Sequence, residues 1–283
     1  MASPTQQRFL EQTRDIPEER LTHERPRVAG KFLFHGKEKL YIRGVTYGPF
    51  HPDEDGCLYH NPEIVQSDFS AMGVHGINAV RTYTVPPVWL LDAARQNGLW
   101  VIVGIPWEQH ITFLDSSRAA DTIEMRVRDG VRACAGHPAV LGYTVGNEIP
   151  ASVVRWHGRE RIERFIKRLY SAAKQEDPSA LVTYVNFPST EYLQLDFLDF
   201  VSFNVYLEKE DRLEAYLARL QTLAGDRPLV IAEVGLDSRR NGVTKQAEVL
   251  EWQIRTVFIS GCAGVFVFAW TDEWSRGGYQ IED

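Results

Sequence analysis

Eight short apolar runs, separated by stretches of helical periodicity, limit the folds open to this chain more than any other feature. The runs begin near Tyr41, Ala79, Trp100, Val140, Leu181, Phe200, Leu229 and Val265. Apolar residues are continuous within most of these runs instead of alternating with polar ones, which is typical of strands that are covered on both faces. The sequence therefore predicts a parallel sheet whose strands alternate with helices.

The segments between the runs predict the helices that cover such a sheet. Apolar residues recur there at helical spacing, and several of the segments end next to a glycine or a proline. We expect helices over Asn61–Met72, Val88–Gln96, Ile123–Ala135, Arg159–Gln175, Arg212–Leu223 and Lys245–Ser260. The connection between the fifth and sixth runs has room for only about one to two helical turns.

Eight strands that alternate with helices favour a closed (β/α)8 barrel, the TIM-barrel fold, over an open doubly wound sheet. The open sheet normally carries a glycine-rich phosphate loop after its first strand. Here the first run continues as RGVTYGPFHPDEDG, which lacks the G-x-G-x-x-G spacing. We therefore predict one barrel domain over residues 28–283, with an N-terminal hairpin of Lys31–Phe34 and Leu40–Arg43, preceded by an N-terminal extension over residues 1–27.

The end of the chain does not fit a complete barrel. Only thirteen residues follow Trp270, and they include two consecutive glycines, so the eighth helix has no room. Two hypotheses explain this. Either the chain is part of a longer multidomain protein, or a short helix near Gln6–Asp15 packs where the eighth helix would lie.

Composition and charge argue against several classes of protein. A net charge of −7 without basic runs argues against a nucleic-acid partner. The longest apolar runs fall far short of the roughly 18–20 residues of a membrane span. The three cysteines are widely spaced and the eight histidines lack metal-site spacing, so we expect no disulfide framework and no metal. The first thirty residues hold no apolar export segment, which favours a cytoplasmic location.

Two carboxylates stand where a parallel barrel places its chemistry, at the C-terminal ends of its strands. Glu148 ends the fourth apolar run and Glu233 lies near the end of the seventh. Two such carboxyl groups about 5–5.5 Å apart are what retaining glycoside hydrolysis requires. We expect Arg81, at the end of the second strand, to lie near Glu233 and keep it ionised. For either glutamate alone, a structural role in capping a helix or pairing with an arginine remains the alternative.

Further polar and aromatic residues lie at the predicted strand ends. Aromatic faces there can stack on the apolar face of a sugar ring, although core packing is the alternative for any one of them. The candidate substrate-binding residues are Arg81, Tyr83, Trp107, Glu108, Asn147, Tyr206, Trp270 and Trp274. As a set at one face, they indicate a carbohydrate ligand.

At these residues the sequence resembles the retaining glycoside hydrolases of clan A, particularly the catalytic barrel of family 2. The segments that carry the resemblance are VAGKFLFHGKEKLYIRGVTYGPF, GINAVRTYTVPPVWLLDAARQNGLWVIVGIP and HPAVLGYTVGNEIP. The last is similar to the acid/base signature of that family, in which a His-Pro precedes a strand ending in Asn-Glu. The sequence resembles the clan A barrels of families 5 and 17, which lack additional domains, to nearly the same degree.

The resemblance implies roles for individual residues. Glu148 would be the acid/base and Glu233 the nucleophile. Asn147 would bind the sugar hydroxyl next to the anomeric carbon. Arg81 and Tyr206 would orient Glu233, and Trp270 would form the floor of the sugar subsite. Tyr83 departs from the family pattern, which often has a histidine at this point, so sugar specificity does not transfer.

Together these observations predict a retaining β-glycoside hydrolase or transglycosylase that acts by double displacement on a β-linked oligo- or polysaccharide, with a glucan-type substrate favoured. The two carboxylates supply the acid, base and nucleophile, so no cofactor is implied. The alternative is a non-catalytic carbohydrate-binding barrel within a larger polysaccharide-processing protein. The sequence does not distinguish hydrolysis from transfer to a second sugar. It also does not distinguish attack at the ends of a saccharide chain from attack within it.

Overall fold

The structure, a computed structural model, describes residues 24–276 and 279–281. The first described elements form a small antiparallel sheet of β1 (Arg27–Ala29), β2 (Phe32–His35) and β3 (Glu38–Leu40), in which β2 pairs with both neighbours. The predicted hairpin is present, but its second arm ends at Leu40 instead of Arg43. The reason is that Ile42 already pairs in parallel with Gly264 and so belongs to the next sheet.

Eight parallel strands close into a barrel, which confirms the predicted fold. They are β4 (Ile42–Thr46), β5 (Ala79–Arg81), β6 (Trp100–Gly104), β7 (Val140–Asn147), β8 (Leu181–Asn186), β9 (Val201–Asn204), β10 (Leu229–Val234) and β11 (Gly264–Val267). Each strand pairs with the next along the chain, and β11 returns to pair with β4. Every strand therefore ends at the same mouth of the barrel.

The helices that cover the barrel are α1 (Pro62–Val74), α2 (Val88–Gln96), α3 (Ser117–Cys134), α4 (Ala151–His157), α5 (Arg159–Glu176), α6 (Glu210–Ala224), α7 (Ser238–Asn241) and α8 (Val243–Ile259). All six predicted helices are present. Helix α3 begins six residues earlier than predicted because the Ser116 side chain caps the amide of Ala119. The sequence analysis missed the short helices α4 and α7. Between β8 and β9 only a single 3-10 turn, Pro188–Thr190, is formed.

Two apolar layers hold the barrel together. Residues that point outward from the strands, such as Val80 and Tyr184, pack against the helices. Residues that point inward fill the lower half of the barrel, where Phe266 lies so close to Gly44 that a side chain at position 44 would overlap its ring. Leu33, from the antiparallel sheet, is fully buried in this inner layer and closes the bottom of the barrel. Polar side chains are thus left to the upper half.

After β11 the described part of the chain contains two short strands, β12 (Trp274–Arg276) and β13 (Tyr279–Ile281), and no helix. The predicted helix near Gln6–Asp15 lies outside the described residues. Within residues 24–276 and 279–281, no helix combines the length and apolar character needed to cross a membrane.

Candidate active site

Glu233 points into the barrel because β10 carries an irregularity immediately before it. Val230 faces the inner layer and Ile231 the outer layer, so strict alternation would turn Glu233 outward. The pairing with β9 shifts between Ile231 and Glu233, as in a β-bulge, and Val234 then faces the outer layer. The extra residue re-aims the glutamate toward the mouth, a common use of bulges beside active sites.

Three donors hold the carboxylate of Glu233, which is a buried residue. Arg81 Nη1 donates to Oε1 at 2.8 Å, and the Tyr83 hydroxyl donates to the same oxygen at 2.7 Å. The Tyr206 hydroxyl donates to Oε2 at 2.7 Å. Both oxygens of this buried carboxylate are thus hydrogen-bonded, which fixes its orientation.

The donors themselves stay protonated. Burial, which the Arg81 charge partly offsets, raises the pKa of Tyr83 well above its ordinary value. Loss of contact with water and the neighbouring Glu233 carboxylate raise the pKa of Tyr206. Burial opposes the charge on Arg81, but Tyr83 and Glu233 outweigh it, so the pKa of Arg81 lies above its ordinary value. Both phenols therefore act as neutral donors beside a lasting positive charge.

Glu148 follows directly after β7 and adopts a left-handed backbone conformation with φ of 52°. Its Oε1 accepts a hydrogen bond from Asn204 Nδ2 at 2.9 Å. The preceding Asn147 accepts from Arg81 Nη2 at 2.7 Å and from the same Asn204 amide at 3.2 Å. The side chain of Glu148 is half-buried, between the network and the mouth.

One network thus joins the two carboxylates. Arg81 reaches Glu233 with one guanidinium nitrogen and Asn147 with the other, and Asn204 continues the path to Glu148. The structure brings together six of the predicted site residues: Arg81, Tyr83, Asn147, Glu148, Tyr206 and Glu233. Asn204 completes the network.

The structure places two predicted site residues elsewhere. The Trp107 indole is 7% exposed, donates to the carbonyl of Val145 at 2.9 Å and packs edge-on against Phe113 and Phe165, so no open face remains for a sugar. Glu108 forms an exposed ion pair with Arg126. Both residues lie in the loop after β6, where contacts with the nearest helices and loops decide the direction of their side chains. The structure therefore places neither of them in the network that joins the two carboxylates.

The other two aromatic candidates lie near the mouth. Trp270 is half-buried, and its backbone amide donates to the carbonyl of Thr46 at the end of β4. Trp274 begins β12, and its side chain lies outside the described part of the structure. Tyr206 is 49% exposed, although its hydroxyl donates to Glu233.

Asn204 is the network residue that the sequence analysis did not include among the site residues, although it stands at the end of an apolar run. It is 2% exposed and inward-facing, and a buried amide at a strand end is the signal that identifies it. Within residues 24–276 and 279–281, no three His, Cys, Asp or Glu side chains are grouped so that they could hold a metal ion.

Comparison with known proteins places this arrangement in context. The model of the glycosyl hydrolases family 2 TIM-barrel domain matches residues 27–257. A probable 1,3-β-glucanosyltransferase of Saccharomyces cerevisiae is 26% identical over an alignment of 125 residues, and the alignment covers 40% of this chain and 24% of that protein.

Solved structures share the fold at low sequence identity. A β-glucuronidase from Ruminococcus gnavus superposes with a TM-score of 0.76 and 17% identity, covering 90% of this chain and 47% of its own. A family 2 β-galacturonidase from Eisenbergiella tayi superposes with a TM-score of 0.73 and 20% identity, and the match covers 87% of this chain and 46% of that chain. Bacteroides uniformis β-glucuronidase 2, solved covalently bound to a cyclophellitol-6-carboxylate aziridine, gives 0.73 and 19%, covering 86% and 32%. The chain thus spans less than half the length of these relatives.

Proposed function

Because the chain belongs to the TIM-barrel domains of glycosyl hydrolase family 2, we propose that it is a retaining β-glycosidase in which Glu233 is the nucleophile and Glu148 the acid/base. The observation that carries the proposal is the hydrogen-bond network that holds two strand-end carboxylates at one mouth. A purely structural ion pair between Arg81 and Glu233 would not require a second carboxylate, Glu148, in the same hydrogen-bond network.

The donors on Glu233 suggest which oxygen attacks. A carboxylate oxygen offers about two lone-pair sites. Oε1 uses both for Arg81 and Tyr83, whereas Oε2 accepts from Tyr206 alone among the described residues. Oε2 therefore keeps a lone pair for the anomeric carbon, while the other contacts orient the group.

The proposed reaction has two displacements. In the first, Glu233 Oε2 forms a bond to the anomeric carbon while the bond from that carbon to the leaving oxygen breaks, and Glu148 gives its proton to that oxygen. In the second, Glu148, now a carboxylate, takes a proton from water or from a sugar hydroxyl, whose oxygen attacks the anomeric carbon and releases Glu233. Water gives hydrolysis, and a sugar gives transfer.

Asn147 fits a role in binding the sugar. Its side-chain oxygen is occupied by Arg81 and Asn204, which turns its amide nitrogen toward other partners. We assign that nitrogen to the sugar hydroxyl next to the anomeric carbon, where a hydrogen bond strengthens in the transition state. The ring of Trp270 is the proposed floor of the same subsite.

We propose a neutral, glucan-type β-linked substrate. Arg81 is engaged by Glu233 and Asn147, so it is not available to a substrate carboxylate. The similarity to a glucanosyltransferase supports a glucan and raises transfer as a second outcome, whereas the solved neighbours named as glucuronidases and a galacturonidase favour an acidic sugar. Turnover of an aryl β-glucoside and an aryl β-glucuronide under the same conditions decides between them.

Covalent labelling tests the nucleophile. An activated glucosyl fluorosugar, with fluorine in place of the hydroxyl next to the anomeric carbon, should leave an adduct on the peptide that contains Glu233, detected by mass spectrometry. Glu233→Gln should abolish both adduct and turnover, while Glu108→Gln, which changes an exposed glutamate, should change neither. Oligosaccharide binding without adduct or turnover would instead support the non-catalytic barrel.

Rescue tests the acid/base. Glu148→Ala should lose turnover of substrates with poor leaving groups by about 10²–10⁴-fold, the usual contribution of general acid catalysis. Azide should partly restore turnover of an activated aryl glycoside, because it needs no base to attack the intermediate. Equal losses on activated and poor substrates would contradict the assignment of Glu148.

A further inference from the structure

Three successive backbone amides at the acid/base turn are each held by a different partner. The amide of Asn147 donates to Gln109 Oε1, the amide of Glu148 to the carbonyl of Val185 at 2.9 Å, and the amide of Ile149 to the Tyr184 hydroxyl at 2.8 Å. Gln109 lies in the loop after β6, and Val185 and Tyr184 lie in β8. Hydrogen bonds from the loop after β6 on one side and from β8 on the other therefore hold the turn at Glu148.

The turn needs such support because of its conformation. Within the described residues, Glu148 is the one non-glycine position with a positive φ, and L-residues adopt that conformation at a cost. Such a conformation persists when the surrounding structure fixes it. Since the backbone at position 148 sets the direction of its side chain, the partners of the flanking amides also set where the Glu148 carboxyl group points.

Tyr184 and Gln109 also pack closely against Gly146, the residue before Asn147. A Cβ at position 146 would lie 3.0 Å from the Tyr184 ring and 3.1 Å from Gln109 Oε1. Tyr184 is 1% exposed, and burial raises its pKa, so its hydroxyl stays neutral. Neither residue is hydrogen-bonded to Glu233 or Arg81 in any contact that the structure shows.

We propose that Tyr184 and Gln109 are positioning residues that aim Glu148 at the leaving oxygen. They act through the backbone amides of Ile149 and Asn147 and do not touch the substrate. The inference rests on the proposed acid/base role of Glu148. If Glu148 is misdirected, proton donation to the leaving oxygen should slow while attack by the nucleophile is unaffected. The fall in kcat/KM should therefore be larger for leaving groups that need a proton.

The test uses Tyr184→Phe, which removes only the hydroxyl that accepts from the Ile149 amide. Values of kcat/KM are measured with dinitrophenyl β-glucoside, whose leaving group departs unprotonated, and with phenyl β-glucoside, whose leaving group needs a proton. We expect kcat/KM to fall about tenfold for the phenyl glycoside, a part of the usual contribution of general acid catalysis. For the dinitrophenyl glycoside it should stay within about twofold of the wild type.

Tyr143→Phe is the matched control. Tyr143 lies in β7, the strand that carries Glu148, is fully buried, and loses a hydrogen bond to Asp177 far from the mouth. It should lower the unfolding midpoint without separating the two substrates. Gln109→Met, which removes the acceptor for the Asn147 amide and keeps the side-chain length, provides a second variant and should separate them as Tyr184→Phe does.

Glu148→Gln distinguishes the two proposals. If it separates the substrates strongly while Tyr184→Phe and Gln109→Met lower both equally, the positioning role is refuted and the acid/base role stands. If Glu148→Gln does not separate them, the acid/base assignment fails and the positioning role fails with it. Separation by Tyr143→Phe would also overturn the inference, since any loss of stability would then produce the effect.

Discussion

Breaking the contact between Arg81 and Glu233 is expected to cost far more stability than breaking a surface ion pair of the same length. Arg81 Nη1 lies 2.8 Å from Glu233 Oε1, and the side chains are 1% and 9% exposed. Arg126 Nη1 lies 2.8 Å from Glu108 Oε1, but those side chains are 46% and 53% exposed. The two pairs differ in their access to water and not in distance.

The magnitudes follow from what each change leaves behind. Arg81→Met leaves a buried carboxylate without its cation, which should cost about 3–5 kcal/mol. Arg81→Met with Glu233→Gln removes that charge and leaves two neutral acceptors, Ala232 O and Asn147 Oδ1, short of a donor, at about 1 kcal/mol each. Glu233→Gln alone also carries a cost, because it leaves the buried Arg81 charge without its anion. The two single costs together therefore exceed the cost of the double change, and the coupling energy between the two positions should be about 2 kcal/mol or more. For Arg126→Met and Glu108→Gln it should be below about 1 kcal/mol.

The assay is a pair of double-mutant cycles. Urea unfolding at neutral pH, followed by tryptophan fluorescence and by circular dichroism, gives the free energy of unfolding for each single and double variant. A common denaturant slope across the variants shows that the same transition is compared. Coupling energies for the two pairs within about 0.5 kcal/mol of each other would refute the reasoning, because they would mean that water screens the site as it screens the surface.

Three further predictions concern parts of the barrel away from the carboxylates. Burial lowers the pKa of His157, so the folded protein holds its proton less tightly than the unfolded chain, and stability should fall as pH drops through the ordinary histidine range near about 6.5. His157→Gln should flatten that dependence in urea titrations, whereas His75→Gln, at an exposed position, should not. Leu33→Ala should destabilise the protein by about 2–5 kcal/mol with KM unchanged, because it empties the bottom of the barrel; a changed KM would show that the inner layer reaches the site. Trp107→Phe should cost stability of about 1 kcal/mol for the lost hydrogen bond to Val145 and leave oligosaccharide affinity unchanged, and weaker binding would return Trp107 to the substrate contacts.

Much of the architecture could be predicted from local patterns. All eight apolar runs became strands of the barrel, and Val88–Gln96 became helix α2 with the same bounds. These elements depend on residues close in sequence, through side-chain periodicity and helix ends. The helix α4, by contrast, has seven residues and no side-chain cap, so its sequence gives little signal.

The candidate site could be predicted in part for a similar reason. The C-terminal ends of the strands meet at one mouth in any parallel barrel. The strand positions of Arg81 and Glu233 are therefore enough to predict that the two side chains lie close together. The direction of residues beyond a strand end has no such rule. Trp107 and Glu108 lie in the loop after β6. The Trp107 ring packs against Phe113 and Phe165, and Glu108 forms an ion pair with Arg126.

The sequence by itself determined the closed barrel and the end at which its polar residues gather, because periodicity and strand order depend on neighbours along the chain. Only the tertiary structure decided which side chains face the mouth of the barrel. A shift in the pairing of two strands turns Glu233 inward, and partners from the loop after β6 and from β8 hold the left-handed turn at Glu148. These contacts join residues that are far apart in sequence. The residues next to Glu148 and Glu233 along the chain therefore do not reveal the direction of the two side chains.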